Sequence, residues 1–218
     1  MNSNRLAIPR FAPYVTRCQA VAMVMALATL GGCSALSPTR TAHPTFYSLD
    51  ANLPSMPPAP ALSPAGQTLI INPPHAAAGF DSQRIMYLRE PFKLAYFAQS
   101  EWVDLPARML GPLLVSTIAK TGSFRAVALT SATASGDLRL DTEIIRLQHE
   151  FLTQPSQVRF TLRAYLIDDK TRRVLAWREF DASTSSTSED AYGGVVAANL
   201  AVQVVLKDLS QFLTERMK

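Results

Sequence analysis

From residue 138 the chain alternates: Leu138, Leu140, Thr142 and Ile144 are interleaved with Arg139, Asp141 and Glu143. A period of two marks a half-buried strand. The apolar phase then moves to Ile145, Leu147, His149 and Phe151. An alternation cannot change phase without an extra residue, so the pattern predicts a β-bulge or sharp twist near Ile144-Ile145, through which one long strand serves two surfaces. Val158, Phe160, Leu162, Ala164 and Leu166 alternate next, against Arg159, Thr161, Arg163 and Tyr165. Asp168-Asp169-Lys170-Thr171 reads as the turn into a last strand over 174–182, giving an antiparallel meander.

Upstream the signals are shorter. Residues 68–71 are an apolar run stopped by Asn72-Pro73-Pro74, a buried strand that ends because proline has no N–H for a ladder. Apolar runs over 85–88 and 94–97 flank residues 89–93, a spacing suited to a hairpin with a longer loop. Trp102, Leu105, Met109, Leu113 and Ile118 recur mostly at three or four residues, which predicts a helix with Asp104 as N-cap and Gly122 past its end. Pro106 suits the first turn, whereas Pro112 is expected to kink this helix or delay its start. Residues 124–129 read as another short strand.

After a Ser/Thr-rich stretch over 183–188, a long helix closes the chain. Ser186 and Glu189 are spaced as a capping box. Gly193-Gly194 are expected to weaken the first turns by roughly 1 kcal/mol each relative to alanine. Beyond them Asn199, Gln203, Lys207, Gln211 and Thr214 form a narrow polar stripe on a helix that is otherwise apolar or small. So wide an apolar arc exceeds what one sheet face usually covers. It reads first as a core helix lying across the sheet, and second as one used also for self-association or partner docking. Together the elements predict a single α+β domain: a mostly antiparallel twisted sheet with one mid-chain and one long C-terminal helix packed on it.

The N-terminal part follows other rules. Arg5, Arg10 and Arg17 precede an apolar run over 20–30, with no acidic residue before Asp50, and the run ends in Leu30-Gly31-Gly32-Cys33. Basic segment, apolar run and small residues in that order read as a secretory signal peptide. The run of about a dozen residues is short of the roughly 20 that a membrane-crossing helix needs. A cysteine directly after Gly31-Gly32 resembles the lipobox of bacterial lipoproteins, which implies removal of residues 1–32 and acylation of Cys33, testable with labelled palmitate. Residues 34–66 carry Pro38, Pro44, Pro54, Pro57, Pro58, Pro60 and Pro64, a density that favours an extended tether. One island, 45–49, has strand-like composition. If it joins the sheet, the free tether is only residues 34–44, reaching roughly 35 Å at about 3.3 Å per residue. The folded domain proper is expected over 67–218.

Cleavage changes how the composition reads. The formal net charge of +4 falls to +1 once Arg5, Arg10 and Arg17 leave, which removes the bulk-charge argument for nucleic acid. Of the two cysteines, Cys18 departs and Cys33 becomes thioether-linked, so no thiol remains for a disulfide, a metal or a nucleophile. His43 lies in the tether, His75 in a proline-rich loop and His149 on the apolar phase of a strand; no two share metal-ligand spacing. His149 reads as a satisfied, partly buried side chain. The chain has no Gly-x-Ser-x-Gly elbow and no phosphate loop, and Asp168-Asp169 suits a turn better than acid–base work. Neither an enzyme nor a cofactor is expected. Arg139, Arg159 and Arg163 admit two readings: a solvated sheet face, or contacts to anionic headgroups or an acidic partner.

The lipobox ending at Cys33, the Tyr47-Ser48-Leu49 strand, the strand over 69–73 and the block from Phe80-Asp81-Ser82-Gln83-Arg84-Ile85 to Tyr96 and Trp102 occur in a telling order. The helix over 105–120, Phe124-Arg125-Ala126-Val127, the long strand after Asp137 and the alanine- and valine-rich C-terminal helix complete it. This order resembles the ABC-type transport auxiliary lipoproteins, which include the lipoprotein component of the paraquat-inducible system. Phe80-Asp81-Ser82 departs from that family's more usual Tyr-Leu-Asp-Arg-Pro type of segment. The resemblance implies a non-catalytic lipoprotein working with an MCE-domain protein, an inner-membrane permease and its ATPase to move lipids or other hydrophobic molecules. Ser34 follows the cysteine, where an aspartate would retain a lipoprotein in the inner membrane; the outer membrane is therefore favoured, with the domain in the periplasm. Two other roles stay open, a lipoprotein that itself carries lipid and an envelope scaffold without lipid cargo, as does assembly into a homo-oligomer.

Overall fold

The computed structural model describes residues 43–50, 66–130 and 135–217. The lipobox and Cys33 lie outside the described residues. In chain order the elements are β1 (Thr45–Tyr47), β2 (Thr68–Ile71), β3 (His75–Ala76), β4 (Arg84–Glu90), β5 (Lys93–Trp102), helix α1 (Pro106–Ala119), β6 (Ala126–Leu129), β7 (Leu138–Glu150), β8 (Gln157–Asp168), β9 (Val174–Ser185) and helix α2 (Ala191–Arg216).

The long strand β7 organises a nine-stranded sheet. Along one edge it pairs antiparallel with β8, from Leu138↔Asp168 to Glu150↔Gln157, and β9 continues the meander. Its other edge is shared end to end by three short parallel strands. β2 lies against 138–140, β3 against 143–144 and β4 against 149–150. β6 extends the sheet beyond β2, while β5 and then β1 extend it beyond β4. The architecture is therefore α+β, with its longest pairings antiparallel and both helices packed on the sheet.

The expected bulge is present. Register steps from Ile144↔Leu162 to Arg146↔Thr161 and leaves Ile145 unopposed. Its effect differs from the two-surface role the alternation suggested. Leu140 and Ile144 before the bulge, and Leu147 and His149 after it, all oppose the even-numbered residues of β8, so the extra residue keeps both apolar sets on one face. That face is buried: Leu140, Ile144, Phe160 and Leu162 are sealed against Ala201, Val205 and Leu209 of α2. Each such side chain contributes on the order of 1.5–3 kcal/mol.

Four local expectations need correction. The β4–β5 hairpin has no longer loop: Glu90 opposes Lys93, leaving only Pro91-Phe92 between the strands, with Phe92 at φ 66. Proline followed by a left-handed residue is type II turn chemistry, which recruits the flanking polar residues into the strands. Helix α1 does not start late: it runs from Pro106 through Pro112, which is exposed, so the Arg108 carbonyl that loses its donor lies on the solvent side. Leu105, not Asp104, is the N-cap; the Asp104 carboxylate accepts from the Leu105 N–H at 2.7 Å. Gly122, at φ 66, ends the helix as expected.

The fourth correction is the start of α2. Ser186 Oγ donates to the Ser188 carbonyl and Glu189 accepts from the Ser156 N–H, so the capping box does not form. The N-cap is Asp190, accepting from Gly193 N–H at 2.8 Å. The two glycines after it are close-approach positions: a Cβ on Gly193 would lie 2.3 Å from the Ser188 carbonyl oxygen, and one on Gly194 would lie 2.5 Å from His149 Nδ1. Helix α2 is long and apolar enough to cross a membrane by composition, but 56% of that apolar window is buried in the fold, as befits a core helix. Its outward face still shows Tyr192, Leu200 and Val204 at 61%, 44% and 48% exposure.

Candidate functional site

His149 is the one buried histidine, at 2% exposure, whereas His43 and His75 are exposed. The bulge turns its ring towards the first turn of α2, where the absent Cβ of Gly194 leaves room for it. Nε2 lies 2.8 Å from Ser156 Oγ, and the Ser156 N–H donates to Glu189 at 2.9 Å. Phe151 lies against the ring at 4.1 Å between centroids. Nδ1 is buried with no hydrogen-bond partner among the described residues, so the satisfied histidine read from the sequence is satisfied on one nitrogen only.

Burial pushes the His149 pKa down, outweighing the opposite pull of Glu189 and Asp190, and Arg89 adds to the depression. The Ser156 N–H holds the Glu189 carboxyl below its usual range, and the Gly193 N–H does the same for Asp190. His, Ser and an acid thus meet, but not in a nucleophile's order. A catalytic carboxylate grips the imidazole and leaves the hydroxyl open to substrate. Here the serine stands between imidazole and carboxylate and is fully buried. The cluster is a clamp that ties β7, the loop before β8 and the start of α2 together.

The three arginines from the polar phases lie on the sheet face opposite the helices, each already engaged. Arg139 meets Asp169 at 2.7 Å, Arg159 meets Asp181 at 3.0 Å, and Arg163 lies between Glu179 at 3.0 Å and Glu143 at 3.5 Å. Hydrogen bonding to Arg139 and Arg159 lowers the pKa of Asp169 and Asp181 respectively. Their charge is spent within the sheet, which favours the first of the two readings. Asp168 does serve the turn: its carboxylate accepts from the Thr171 N–H and hydroxyl, which depresses its pKa. Among the described residues no group of three or more His, Cys, Asp or Glu is placed to hold a metal.

A cavity lined by Ile85, Trp102, Leu147, His149, Val158 and Ala198 measures about 10 Å³. That is water-sized, against the roughly 300–1,000 Å³ of small-molecule sites. A groove of about 200 Å³ between β9 and α2 is walled by Arg178, Asp208, Gln211, Phe212 and Glu215. Its polar walls do not suit an acyl chain.

The island over 45–49 does join the sheet, but sequence reasoning missed what holds it there. β1 pairs parallel with β5, Thr45↔Ser100 to Tyr47↔Trp102. Beyond it Asn199 of α2 accepts from the Asp50 N–H at 2.7 Å and donates to the Ser48 carbonyl at 3.2 Å. Asn199, the first residue of the polar stripe on α2, was the available signal: its amide offers both a donor and an acceptor to a neighbouring backbone. Also unforeseen is the packing of Tyr87, Phe97 and Phe151 with Arg89, whose guanidinium lies 4.7 Å from the Phe151 ring centre.

Fold and side chains together define an α+β domain whose buried polar groups hold its own elements together. The chain belongs to the family of ABC-type transport auxiliary lipoprotein components, whose model matches residues 47–210, from β1 into α2. Its fold is also that of the crystal structure of XCC0632 from Xanthomonas campestris, a DUF330 protein, at 24% identity and a TM-score of 0.68, covering 79% of this chain and 97% of that one. A second crystal structure, of an uncharacterised protein, aligns at 11% identity and a TM-score of 0.59, covering 81% and 99%. No curated protein matches the sequence.

Proposed function

We propose that this chain is the lipid-anchored docking component of an ABC/MCE-type envelope transport system that moves lipids or other hydrophobic molecules. Cys33 carries the acyl anchor in the outer membrane, the domain lies in the periplasm, and an MCE-domain protein joined to an inner-membrane permease and ATPase is the partner. The observation that supports it is the pairing of β1. Because Thr45 is already in the sheet, only residues 34–44 separate the folded domain from Cys33, a reach of roughly 35 Å. A leash that short presents a domain to a partner and suits docking better than shuttling across the envelope. The exposed Tyr192, Leu200 and Val204 of α2 offer an apolar surface to such a partner or to a second copy.

The lipid-carrier reading is the weaker one, since the cavity at His149, among the described residues, is water-sized. Labelled palmitate should enter the wild-type chain and not Cys33→Ala. Deleting the protein should raise envelope permeability to hydrophobic agents, and Cys33→Ala should fail to restore it. Palmitate incorporation that persists in Cys33→Ala overturns the anchor, and unchanged permeability on deletion overturns the transport role.

A further inference from the structure

Arg139, Arg159 and Arg163 on the open sheet face are neutralised, but the turn of the β8–β9 hairpin keeps an excess of cations. Its two carboxylates are engaged within the turn: Asp168 accepts from Thr171, and Asp169, with 8% side-chain exposure, is held by Arg139. The cations face outward. Lys170, Arg172 and Arg173 are all exposed, and among the described residues only Arg172 is in an ion pair, with Asp169 at 3.4 Å. Behind them Trp177 is 62% exposed and stacks on Tyr165 at 6.3 Å, and Leu175 is 43% exposed. Leu175 is the extra residue where register steps from Leu166↔Ala176 to Ile167↔Val174. Bulky apolar groups kept in water beside unpaired cations need a reason, and they match what seats in a membrane interface. An amphipathic indole sits at headgroup depth, and basic side chains meet anionic lipid.

We propose that this turn, with Lys170, Arg172 and Arg173 foremost and Trp177 on Tyr165 behind them, seats in the headgroup region of an anionic phospholipid bilayer. The proposal rests on the acylated Cys33 for having a bilayer at hand, and the chain lengths allow one bilayer to serve both. Through the registers of β1, β5, β4 and β7, Thr45 stands level with about residue 147 of β7, some nine residues back from Leu138 beside the turn. At about 3.3 Å per residue that is roughly 30 Å. The tether, at roughly 35 Å, spans it.

The test uses the intact acylated protein in phosphatidylglycerol vesicles with brominated acyl chains, which quench tryptophan on contact. The chain has two tryptophans, and Trp102, 3% exposed, serves as the buried reference. The expected result is quenching that disappears in Trp177→Phe and in phosphatidylcholine vesicles. Each basic side chain near an anionic surface is worth roughly fivefold in association, so Lys170→Gln/Arg172→Gln/Arg173→Gln should also release it. Flotation of the protein with the vesicles reports on the acyl anchor separately. Flotation without quenching overturns the hairpin proposal and spares the anchor, whereas quenching at vesicle excess without flotation does the reverse. A Trp177 signal that moves with an added envelope protein and never with lipid overturns the proposal in favour of a polypeptide partner.

Discussion

Replacing Gly193 or Gly194 by alanine sets two physical effects against each other. Helix propensity alone makes each substitution stabilising by roughly 1 kcal/mol. The packing says otherwise. A Cβ at position 194 would stand 2.5 Å from His149 Nδ1 and 3.2 Å from Cε1 and Cγ, against a ring held by Ser156 and Phe151. Overpacking of a filled core costs typically 1–3 kcal/mol; an approach of 2.5 Å to a pinned ring belongs in the upper part of that range, so after the propensity gain a net loss of about 1–2 kcal/mol is expected for Gly194→Ala. At 193 the obstacle is backbone: Ser188 O at 2.3 Å and Ser188 N at 2.6 Å. Moving that segment also disturbs the Asp190 cap, so Gly193→Ala should lose about 2–3 kcal/mol. Urea denaturation followed by far-UV circular dichroism reads both. The double variant His149→Ala/Gly194→Ala should cost at least about 1 kcal/mol less than the sum of the singles, because removing the imidazole removes the clash that Gly194→Ala creates. Alanine variants that match or exceed wild type would refute the close-approach reasoning and leave only the propensity argument.

Asp190→Ala should cost about 1 kcal/mol of stability through loss of the cap, and Asp190→Asn clearly less, both read as shifts in urea midpoint. His149 makes stability pH-dependent. Its folded pKa lies below the unfolded value of about 6.5, so the unfolded chain binds more protons between the two, and stability present above about pH 6.5 is lost as pH falls through that window. Urea midpoints measured downward from about pH 7.5 should fall in wild type and stay flatter in His149→Gln over the same range. Phe92, fully exposed at φ 66, contributes no packing there, so Phe92→Gly should stabilise by up to about 1 kcal/mol in thermal denaturation.

Period-two alternation is a local property, and what depended on it alone was legible. The phase change in 138–151 located the Ile145 bulge, and the strands of the meander followed from their own residues. What the alternation did not hold was direction in space: both halves of β7 face the helices, which only the pairing with β8 decides. The three short strands aligned along one edge of β7 were hidden for the same reason, His75-Ala76 being too short to show any period. Capping failed because Ser186-x-x-Glu189 has the right spacing, yet Ser156, a residue from another loop, takes the glutamate. The glycines were misjudged because His149 is 45 positions from Gly194 in sequence, and the contact between them is tertiary. Of the candidate chemistry, the sequence placed His149 inside and the aspartates in a turn. It had no means of showing that Asp169, Asp181 and Glu179 neutralise Arg139, Arg159 and Arg163, or that Lys170 and Arg173 of the β8–β9 turn are in no ion pair among the described residues.

Docking of a membrane-spanning transport assembly requires the chain to touch that assembly in the intact envelope. Crosslinking in whole cells, recovery of this protein and mass spectrometry of what it carries measure that contact. The wild-type chain is expected to bring down an MCE-domain protein, and Cys33→Ala to bring down far less of it. A chain that crosslinks only to itself, or that yields co-purified acyl chains and no MCE-domain protein, contradicts the docking role.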